Sequence, residues 1–564
     1  VALRCGRPVR PPRSSRGWRG TARRRRSRRA MSPSRSAPRR PSRRRCAASR
    51  TRWSPRNAPA HSAGSRVRRA RGGDRPAGPP PPARASRAWG PLRRSAGGSH
   101  VARIGAAGRA PRPAATARLS AAAAAGAGSR RPAPGFAMPK DLSPAVVAPP
   151  LRPDPGGRTL CTDCGVSRMA DPTLCGRACQ FIAPDYPAAE ARVHGRARDP
   201  ERPDELHFGP FRRMLRARLR APLPGAQWTG IATRIGARLL EEGEVDAVLA
   251  VGPDPEDRWR PRPVIVTEPE GMAACRGMRM GYAPLLALLE PAAARGFRRL
   301  AVIGIPCQVH ALRALEAEFG LERLYVIGTP CSDNTTTENF HRFLDLLDEK
   351  PETISYLEFR ADYRVELRYD DGRPTRTIPF LKLPISKLPP DFFPLTCRTC
   401  VDYANTLADV TVGYMGGEGR QWLIVRNARG EALIDLLGDE LEAEAPGSKG
   451  RRAGAVKGFV ANTERAAGGL PLRGVPDFLR PLVAWLQPRV GPRGLEFARA
   501  RIEMKAAETV LHLRRAHPGF MRRMIPGHVW RLVAPYGLAP EPGEAGSIKS
   551  QRLPNGSRNT ATRP

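Results

Sequence analysis

One phrase occurs twice, 24 residues apart, and it constrains the fold more than any other part of this 564-residue chain. Leu300–Ile303 is a continuous apolar run entering Gly304-Ile305-Pro306-Cys307, and Leu324–Ile327 is another entering Gly328-Thr329-Pro330-Cys331. Short, wholly apolar runs ending in glycine suit strands buried on both faces, as in a parallel sheet. Between them Val309, Leu312, Leu315 and Phe319 fall roughly on one helical face. Strand, helix and parallel strand make a right-handed crossover. Both cysteines then stand at the C-terminal edge of the sheet, where open α/β sheets build their sites.

The surrounding sequence fits an α/β fold with a parallel-sheet core. Ile231, Ile235 and Leu239 mark a helical face before an apolar strand Val245–Val251. Thr335 and Glu338 have the spacing of a capping box, opening a helix with Phe340, Phe343, Leu344 and Leu347 on its core side. Residues 352–380 read as a β-hairpin region turning at Asp370-Asp371-Gly372, and helices are expected near 475–487 and 495–515. The organisation expected is an N-terminal cysteine segment 138–224, an α/β domain 225–435, a helical region 436–540 and a solvated, disordered tail 541–564.

Composition divides the chain sharply. Of its formal charge of +44, residues 1–137 carry most: 36 Arg, no Lys and a single acid, Asp74. This stretch has too little aliphatic surface to offset the entropy of ordering, so it is expected to be disordered. It is read as translated sequence upstream of a start at Met138-Pro139-Lys140. A targeting peptide, or a nucleic-acid arm with runs such as Arg23–Arg26, are the other readings. The remainder has ordinary globular composition. No run of 18 apolar residues and no signal peptide is present, so neither a membrane-spanning helix nor secretion is expected.

Nine cysteines follow residue 138. Cys161 and Cys164, then Cys175 and Cys179, put four thiols within nineteen residues, enough to close around one metal centre. Cys307 and Cys331 at the sheet edge and the pair Cys397 and Cys400 make a second set of four, leaving Cys275 as a core thiol. Pairs spaced by two residues in a chain without a signal peptide favour metal or redox use over disulfides. Spacing alone leaves zinc and iron–sulfur both open. Two helix starts, Gly225–Ile231 and Ser332–Thr337, offer free backbone N–H groups beside the cysteines, an anion site if they are more than caps. No G-x-G-x-x-G after a strand and no Walker lysine loop occurs, so a standard nicotinamide fold and an ATPase are unsupported.

These residues, in order, carry a resemblance: Cys161-Thr-Asp-Cys164-Gly165, Gly225-Ala-Gln-Trp-Thr-Gly230, Asp254-Pro-Glu-Asp257, Pro261-Arg-Pro263, Pro306-Cys307-Gln308-Val309 to Arg313, Cys331-Ser-Asp-Asn334, Cys397-Arg-Thr-Cys400 with Asp402-Tyr403, and Leu407-Ala408-Asp409 leading to Gly413–Gly416. Over about residues 158–435 the chain resembles the beta-subunit family of deazaflavin-reducing hydrogenases and dehydrogenases. Within that family it is most similar to the single-chain branch acting on chlorophyll pigments. The resemblance implies an iron–sulfur flavoprotein oxidoreductase with one FAD and two 4Fe-4S clusters. Cys161, Cys164, Cys175 and Cys179 would hold one cluster, and Cys307, Cys331, Cys397 and Cys400 the other. Gln227, Trp228, Thr229, Gly230, Asn334 and Thr335 would contact the flavin. Its implied reaction is the ferredoxin-dependent reduction of the 8-vinyl group of divinyl (proto)chlorophyllide to ethyl, in (bacterio)chlorophyll biosynthesis.

Reduced ferredoxin and a tetrapyrrole pigment are thus the expected partners, in the cytoplasm or at the periphery of photosynthetic membranes. Arg212, Arg213, Arg216, Arg218 and Arg220 are candidates for docking an acidic ferredoxin. No catalytic proton donor stands out; His310 and His341 are available. The short stretch Gly416–Arg420 departs from the longer insert of the plant branch. Another redox activity of the family, on a deazaflavin or on a 7-hydroxymethyl pigment, is the alternative; a zinc-containing nucleic-acid-binding protein is the second.

Overall fold

The computed structural model describes residues 145–545, apart from 158–159, 183, 361, 414–418, 469–475 and 477. The Arg-rich segment 1–137, the start at Met138, the tail from 546 onward and most of the Gly413–Arg420 stretch lie outside the described residues.

Nine strands form one mixed sheet: β1 (Val146–Val147), β2 (Arg213–Leu219), β3 (Ala247–Pro253), β4 (Pro261–Val266), β5 (Arg299–Gly304), β6 (Arg323–Gly328), β10 (Val410–Gly413), β11 (Gln421–Val425) and β12 (Leu441–Glu444). Their order is β1-β4-β3-β5-β6-β10-β11-β2-β12. The centre, β3-β5-β6-β10, is parallel, and the strands flanking it on either side pair antiparallel. Three further strands, β7 (Ile354–Arg360), β8 (Arg364–Tyr369) and β9 (Arg376–Pro379), make a separate antiparallel sheet where a hairpin region was expected. Two short strands, β13 (Ser448–Lys449) and β14 (Arg493–Gly494), pair with each other.

The repeated phrase folds as its pattern requires. Strands β5 and β6 run parallel in a register that sets Gly304 opposite Gly328, and the helix Pro306–Leu315 crosses between them. Pro306 occupies its first turn, where a missing N–H costs nothing. Alternate residues of the central strands enter opposite cores. Ala247, Leu249, Leu300, Val302, Leu324 and Val326 pack with Val309, Leu312 and Leu315 of the crossover helix. Val248, Ala250, Ala301 and Ile327 pack with Ile231, Ile235 and Leu239 of the helix Ile231–Glu241 on the other face. Helices cover both faces, so every residue of a central strand can be apolar.

Several boundaries differ from expectation for local reasons. Strand β3 starts at Ala247 because the Val245 N–H bonds back to the Leu239 carbonyl and closes the preceding helix. The helix Thr337–Leu347 is capped by Thr336, whose hydroxyl accepts from the Asn339 N–H; Thr335 is occupied instead as a donor to the Phe392 carbonyl. The C-terminal helices run Arg480–Val490 and Leu495–Ala516. Among the described residues no helix is long and apolar enough to cross a membrane.

The arginine run proposed to dock ferredoxin is strand β2. Arg213 pairs with Glu431, Arg216 with Glu444 and Arg218 with Glu442, while Arg220 donates to the Asp439 carbonyl. Of the five, only the Arg212 side chain makes no such bond among the described residues; its backbone N–H bonds the Val425 carbonyl. Arg216 and Arg218 form a cross-strand charge ladder with β12, and with Arg213 and Arg220 also engaged the run offers little free positive surface.

Candidate functional site

The C-terminal edge of the parallel strands gathers the second cysteine set. Cys307 lies in the first turn of the crossover helix and Cys331 three residues beyond β6. The Thr329 N–H donates to the Gly304 carbonyl, tying the two strand exits together at 3.0 Å. Buried Asn405 donates from Nδ2 to the carbonyls of Gly304 (2.8 Å) and Thr329 (3.2 Å), so the 397–409 loop closes over the same edge. Gly328 allows this approach: a Cβ there would stand 2.6 Å from Asn405 and Ala408. Cys397 and Cys400 sit on and just after the one-turn helix Leu395–Arg398, and the Cys331 N–H donates to the Tyr403 carbonyl at 3.1 Å.

The first set is built locally. The Asp163 N–H donates to Cys161 Sγ at 3.2 Å in a tight turn, and Arg168 clamps the Asp163 carboxylate at 2.5 Å. Gly165 has φ +107°, and a Cβ there would lie 2.4 Å from the Ala287 nitrogen, so only glycine lets the loop reach the Leu285–Leu288 turn. Cys175 lies in the first turn of the short helix Leu174–Ala178 and Cys179 caps its end, where the Cys179 N–H donates to the Cys175 carbonyl.

Electrostatics divide the thiols as the spacing does. Burial pushes Cys164 up, and Cys179, Cys175 and Cys161 add to it; burial likewise lifts Cys179 to about 11. In the second set burial raises Cys307 and Cys331 strongly, Cys397 to about 12 and Cys400 to about 11, with Cys331 feeling both Cys397 and Cys400. The two sets are coupled at Cys307: against the burial that raises it, the Thr162 side chain favours its ionised form, and the charges of Cys331, Cys400 and Cys164 oppose it. Half-buried Tyr282 senses Cys397, Cys161 and Cys307 together, though burial is the larger cause of its raised pKa.

All nine described cysteines are free thiols. Among the described residues no three His, Cys, Asp or Glu side chains converge closely enough to hold a metal ion as they stand. The chemistry of the donors nevertheless suits a metal centre. A desolvated thiolate is unfavourable without a compensating cation, and burial bears on Cys164 and Cys179 of the first set and on all four sulfurs of the second.

A buried charge cluster adjoins the second set. Lys505, on the helix Leu495–Ala516, donates from Nζ to Asp333 at 2.6 Å and to Glu508 at 3.2 Å, and it is only 3% exposed. Its charge favours the ionised form of Cys331, Cys397 and Cys400, against the burial that dominates each. Thr509, one turn on, donates to the Cys400 carbonyl at 2.9 Å. Sequence reading missed Lys505 because 172 residues separate it from Asp333.

The expected flavin contacts divide. Thr229 is buried with its hydroxyl committed to the Leu219 N–H and to Gln421 Oε1, and Gln421 also accepts from the Ile231 N–H at the helix start. Gly230 caps that helix at φ +89°. Gln227 and Trp228 are half-buried on the loop before it. Asn334 is held by both backbone groups of Gly281 and caps its own next residue, Thr335. One segment, Arg276–Tyr282, links these places: Arg276 donates to the Pro224 carbonyl at 3.0 Å, Gly281 holds Asn334, and the charges of Cys397, Cys161 and Cys307 bear on Tyr282. Arg276 and Arg279 have no carboxylate partner among the described residues, and the buried Nε of each lacks an acceptor. Burial lowers the Arg279 pKa to about 10. Arg279 is largely buried and donates to the carbonyls of Ala274, Arg276 and Gly277, while Arg276 is part-exposed. Two neighbouring guanidinium groups without counter-ions suit a phosphate-bearing ligand, and sequence reading passed over both.

Other singled-out residues are structural. Arg313, fully buried, pairs with Asp409 at 2.8 Å, and Asp409 also accepts from the Val326 N–H, Asn427 and Arg429. This pair clamps the crossover helix to the β6 and β10 strands. His310 bonds the Ala178 carbonyl, burial lowering its pKa to about 4, and His341 pairs with Asp257. Cys275 packs against the core beside the helix Ile231–Glu241.

Two family descriptions match the sequence, both of the coenzyme F420 hydrogenase/dehydrogenase beta chain: its N-terminal region over residues 214–290 and its C-terminal region over 297–449. The 7-hydroxymethyl chlorophyll a reductase of Oryza sativa is 36% identical over 401 residues, covering 68% of this chain and 84% of that protein. The chain belongs to the coenzyme F420 hydrogenase/dehydrogenase beta-subunit family. The uncharacterized protein all1601 of Nostoc sp. is likewise 36% identical, over 70% of this chain and 99% of its own length. A more distant member, the beta subunit of the coenzyme F420 hydrogenase of Methanothermobacter thermautotrophicus, is 25% identical over 37% of this chain and 74% of its own. Within this family of oxidoreductases the chain falls with the branch that contains a chlorophyll-pigment reductase.

Proposed function

We propose that the chain is an iron–sulfur flavoprotein that takes electrons from reduced ferredoxin and reduces the 8-vinyl group of divinyl (proto)chlorophyllide to ethyl. The observation that carries this reading is the placement of Cys307 and Cys331 at the exits of adjacent parallel strands, under the loop that bears Cys397 and Cys400, with one segment joining this edge to the Gly225–Gly230 loop through two arginines that have no carboxylate partner among the described residues. Cys161, Cys164, Cys175 and Cys179 would hold one 4Fe-4S cluster, and Cys307, Cys331, Cys397 and Cys400 the other. Gln227, Trp228, Gly230, Asn334 and Thr335 would line the FAD site, with Thr229 fixing the loop from beneath, and Arg276 and Arg279 would face its phosphates. When bound, the clusters and FAD supply single-electron relay and two-electron delivery.

The chain's own residues would do the rest. The buried thiols keep water from the metal sites. Lys505 compensates negative charge at the second set, and Asn405 fixes the edge on which Cys307 and Cys331 stand. A relative named for 7-hydroxymethyl chlorophyll a favours a second reading, reduction of that substituent on the same type of ring.

Anaerobic expression with iron, zinc and flavin analysis tests the common part. The expected result is a brown protein with about eight irons and one flavin per chain, from two clusters of four plus FAD. A colourless zinc protein would overturn it. Incubation with reduced ferredoxin and either divinyl or 7-hydroxymethyl pigment, followed by chromatography, then separates the two reactions.

A further inference from the structure

Among the described residues eight large apolar side chains are exposed, and seven of them lie between Phe478 and Val490. The helix Arg480–Val490 carries most of them. Phe478, just before the helix, is 80% exposed, and Leu482 (54%), Trp485 (56%) and Val490 (65%) share one broad helical face, about 160° wide, with Val483 and Leu486. Beneath the stripe, Ala484 is buried and the helix rests on the Phe380–Lys382 turn. Tyr363 ties down the far end by donating to the Pro492 carbonyl. An apolar concentration of this kind on a surface marks an interaction site.

Charge indicates the partner. Between Phe478 and Gly494 the sequence contains no acid, while Arg489 and Arg493 are exposed. Arg493 stands opposite Lys449 in the β13–β14 pair, with exposed Arg451 two residues on. None of these four pairs with a carboxylate among the described residues. Arg489 lies over the Trp485 ring at 4.1 Å, so its charge is carried at the margin of the apolar stripe. A second copy of the chain would bring this positive collar against itself, because a two-fold interface is self-facing. An aromatic and aliphatic stripe edged by cations, on a helix too short to span a bilayer, has the make-up of an interfacial helix.

We propose that the Phe478–Val490 segment lies in the headgroup region of an anionic lipid bilayer, with its apolar stripe inserted and Arg489, Arg493, Lys449 and Arg451 on the lipid phosphates. This peripheral attachment is independent of the redox reading. The test is flotation of the full chain with phosphatidylcholine vesicles, with and without phosphatidylglycerol. High salt is used to screen the purely electrostatic binding of the Arg-rich 1–137 segment. The wild-type chain should float with phosphatidylglycerol vesicles.

Leu482→Ser, Trp485→Ser and Val490→Ser combined keep the charge and should reduce partitioning on the order of a hundredfold. Arg489→Gln with Arg493→Gln, which leaves the stripe intact, should reduce it roughly tenfold at moderate salt. Flotation of the serine variant equal to wild type would overturn the proposal, as would failure of the wild type to float. Conversion of a wild-type dimer to a monomer by the serine changes, seen by light scattering, would make a second copy the occupant and also overturn it. Iron and flavin contents are read on the same samples, so loss of the redox reading would be recognised separately.

Discussion

The two cysteine sets reach similar surroundings by different routes. Cys161, Cys164, Cys175 and Cys179 lie within nineteen residues and are positioned by a tight turn at Asp163, a glycine at 165 and a single short helix. Cys307, Cys331, Cys397 and Cys400 span ninety-four residues and are brought to one side of the sheet only because β5, β6 and the 397–409 loop share one edge. The first set depends on local backbone geometry. The second depends on the sheet, the crossover helix and the buried clamp between Arg313 and Asp409. Damage to the fold should therefore empty the second set before the first.

The largest expected effect comes from that clamp. Asp409→Asn removes the one fully buried carboxylate on Arg313, leaving it the part-exposed Glu316, and should destabilise the chain by about 3 kcal/mol, the lower end for removing one member of a buried pair. Chemical denaturation measures the loss, and iron retained after mild treatment should come mostly from the first set. Equal depletion of both sets would break the contrast between them.

Next in size, on the proposed two-cluster reading, Cys331→Ser should remove one cluster, leaving roughly half the iron, about four of eight atoms, with the fold retained. Cys164→Ser should leave the complementary half, distinguishable by electron paramagnetic resonance. Loss of all iron in both variants would mean that the sets do not act separately. Lys505→Met should lower the midpoint potential of the second cluster alone, because a positive charge stabilises the reduced, more negative state. Lys505→Arg should restore it, whereas equal shifts at both clusters would show that Lys505 does not discriminate between them.

The smallest effect is one of pH. Burial raises the Asp409 carboxyl, but Arg313 and Arg429 outweigh it and hold the pKa below the ordinary value. A lowered folded-state pKa stabilises fully above the unfolded value, near 4 for aspartate, and this contribution fades as pH falls through the folded one. Denaturation midpoints of the wild type should drop on acidification below about pH 4, and the Asp409→Asn midpoint should drop less.

What the sequence made legible follows the same division. The repeated strand-to-cysteine phrase could be read because strands buried on both faces are continuously apolar, and the crossover helix because Val309, Leu312 and Leu315 keep a helical period. Strand β2 was read as a surface charge run because Arg213, Arg216 and Arg218 interrupt it, and their acidic partners lie more than 200 residues away. The cap of the helix Thr337–Leu347 moved by one residue because the Phe392 carbonyl, 57 residues on, captures the Thr335 hydroxyl. Lys505, Arg276 and Arg279 carry no local pattern. Their significance lies in which partners they meet or lack, and that is decided by packing between segments distant in sequence.

The register between β5 and β6 has one more consequence. Gly304 and Gly328 are level, and each cysteine follows its glycine by three residues. The sheet thus works as a ruler for the two thiols. Residues added between Leu315 and Arg323 could bulge harmlessly from the far end of the crossover, whereas a single insertion between either glycine and its cysteine would put one thiol out of step with the other. Tolerance to changes in length should therefore be wide at one end of this unit and almost nil at the other.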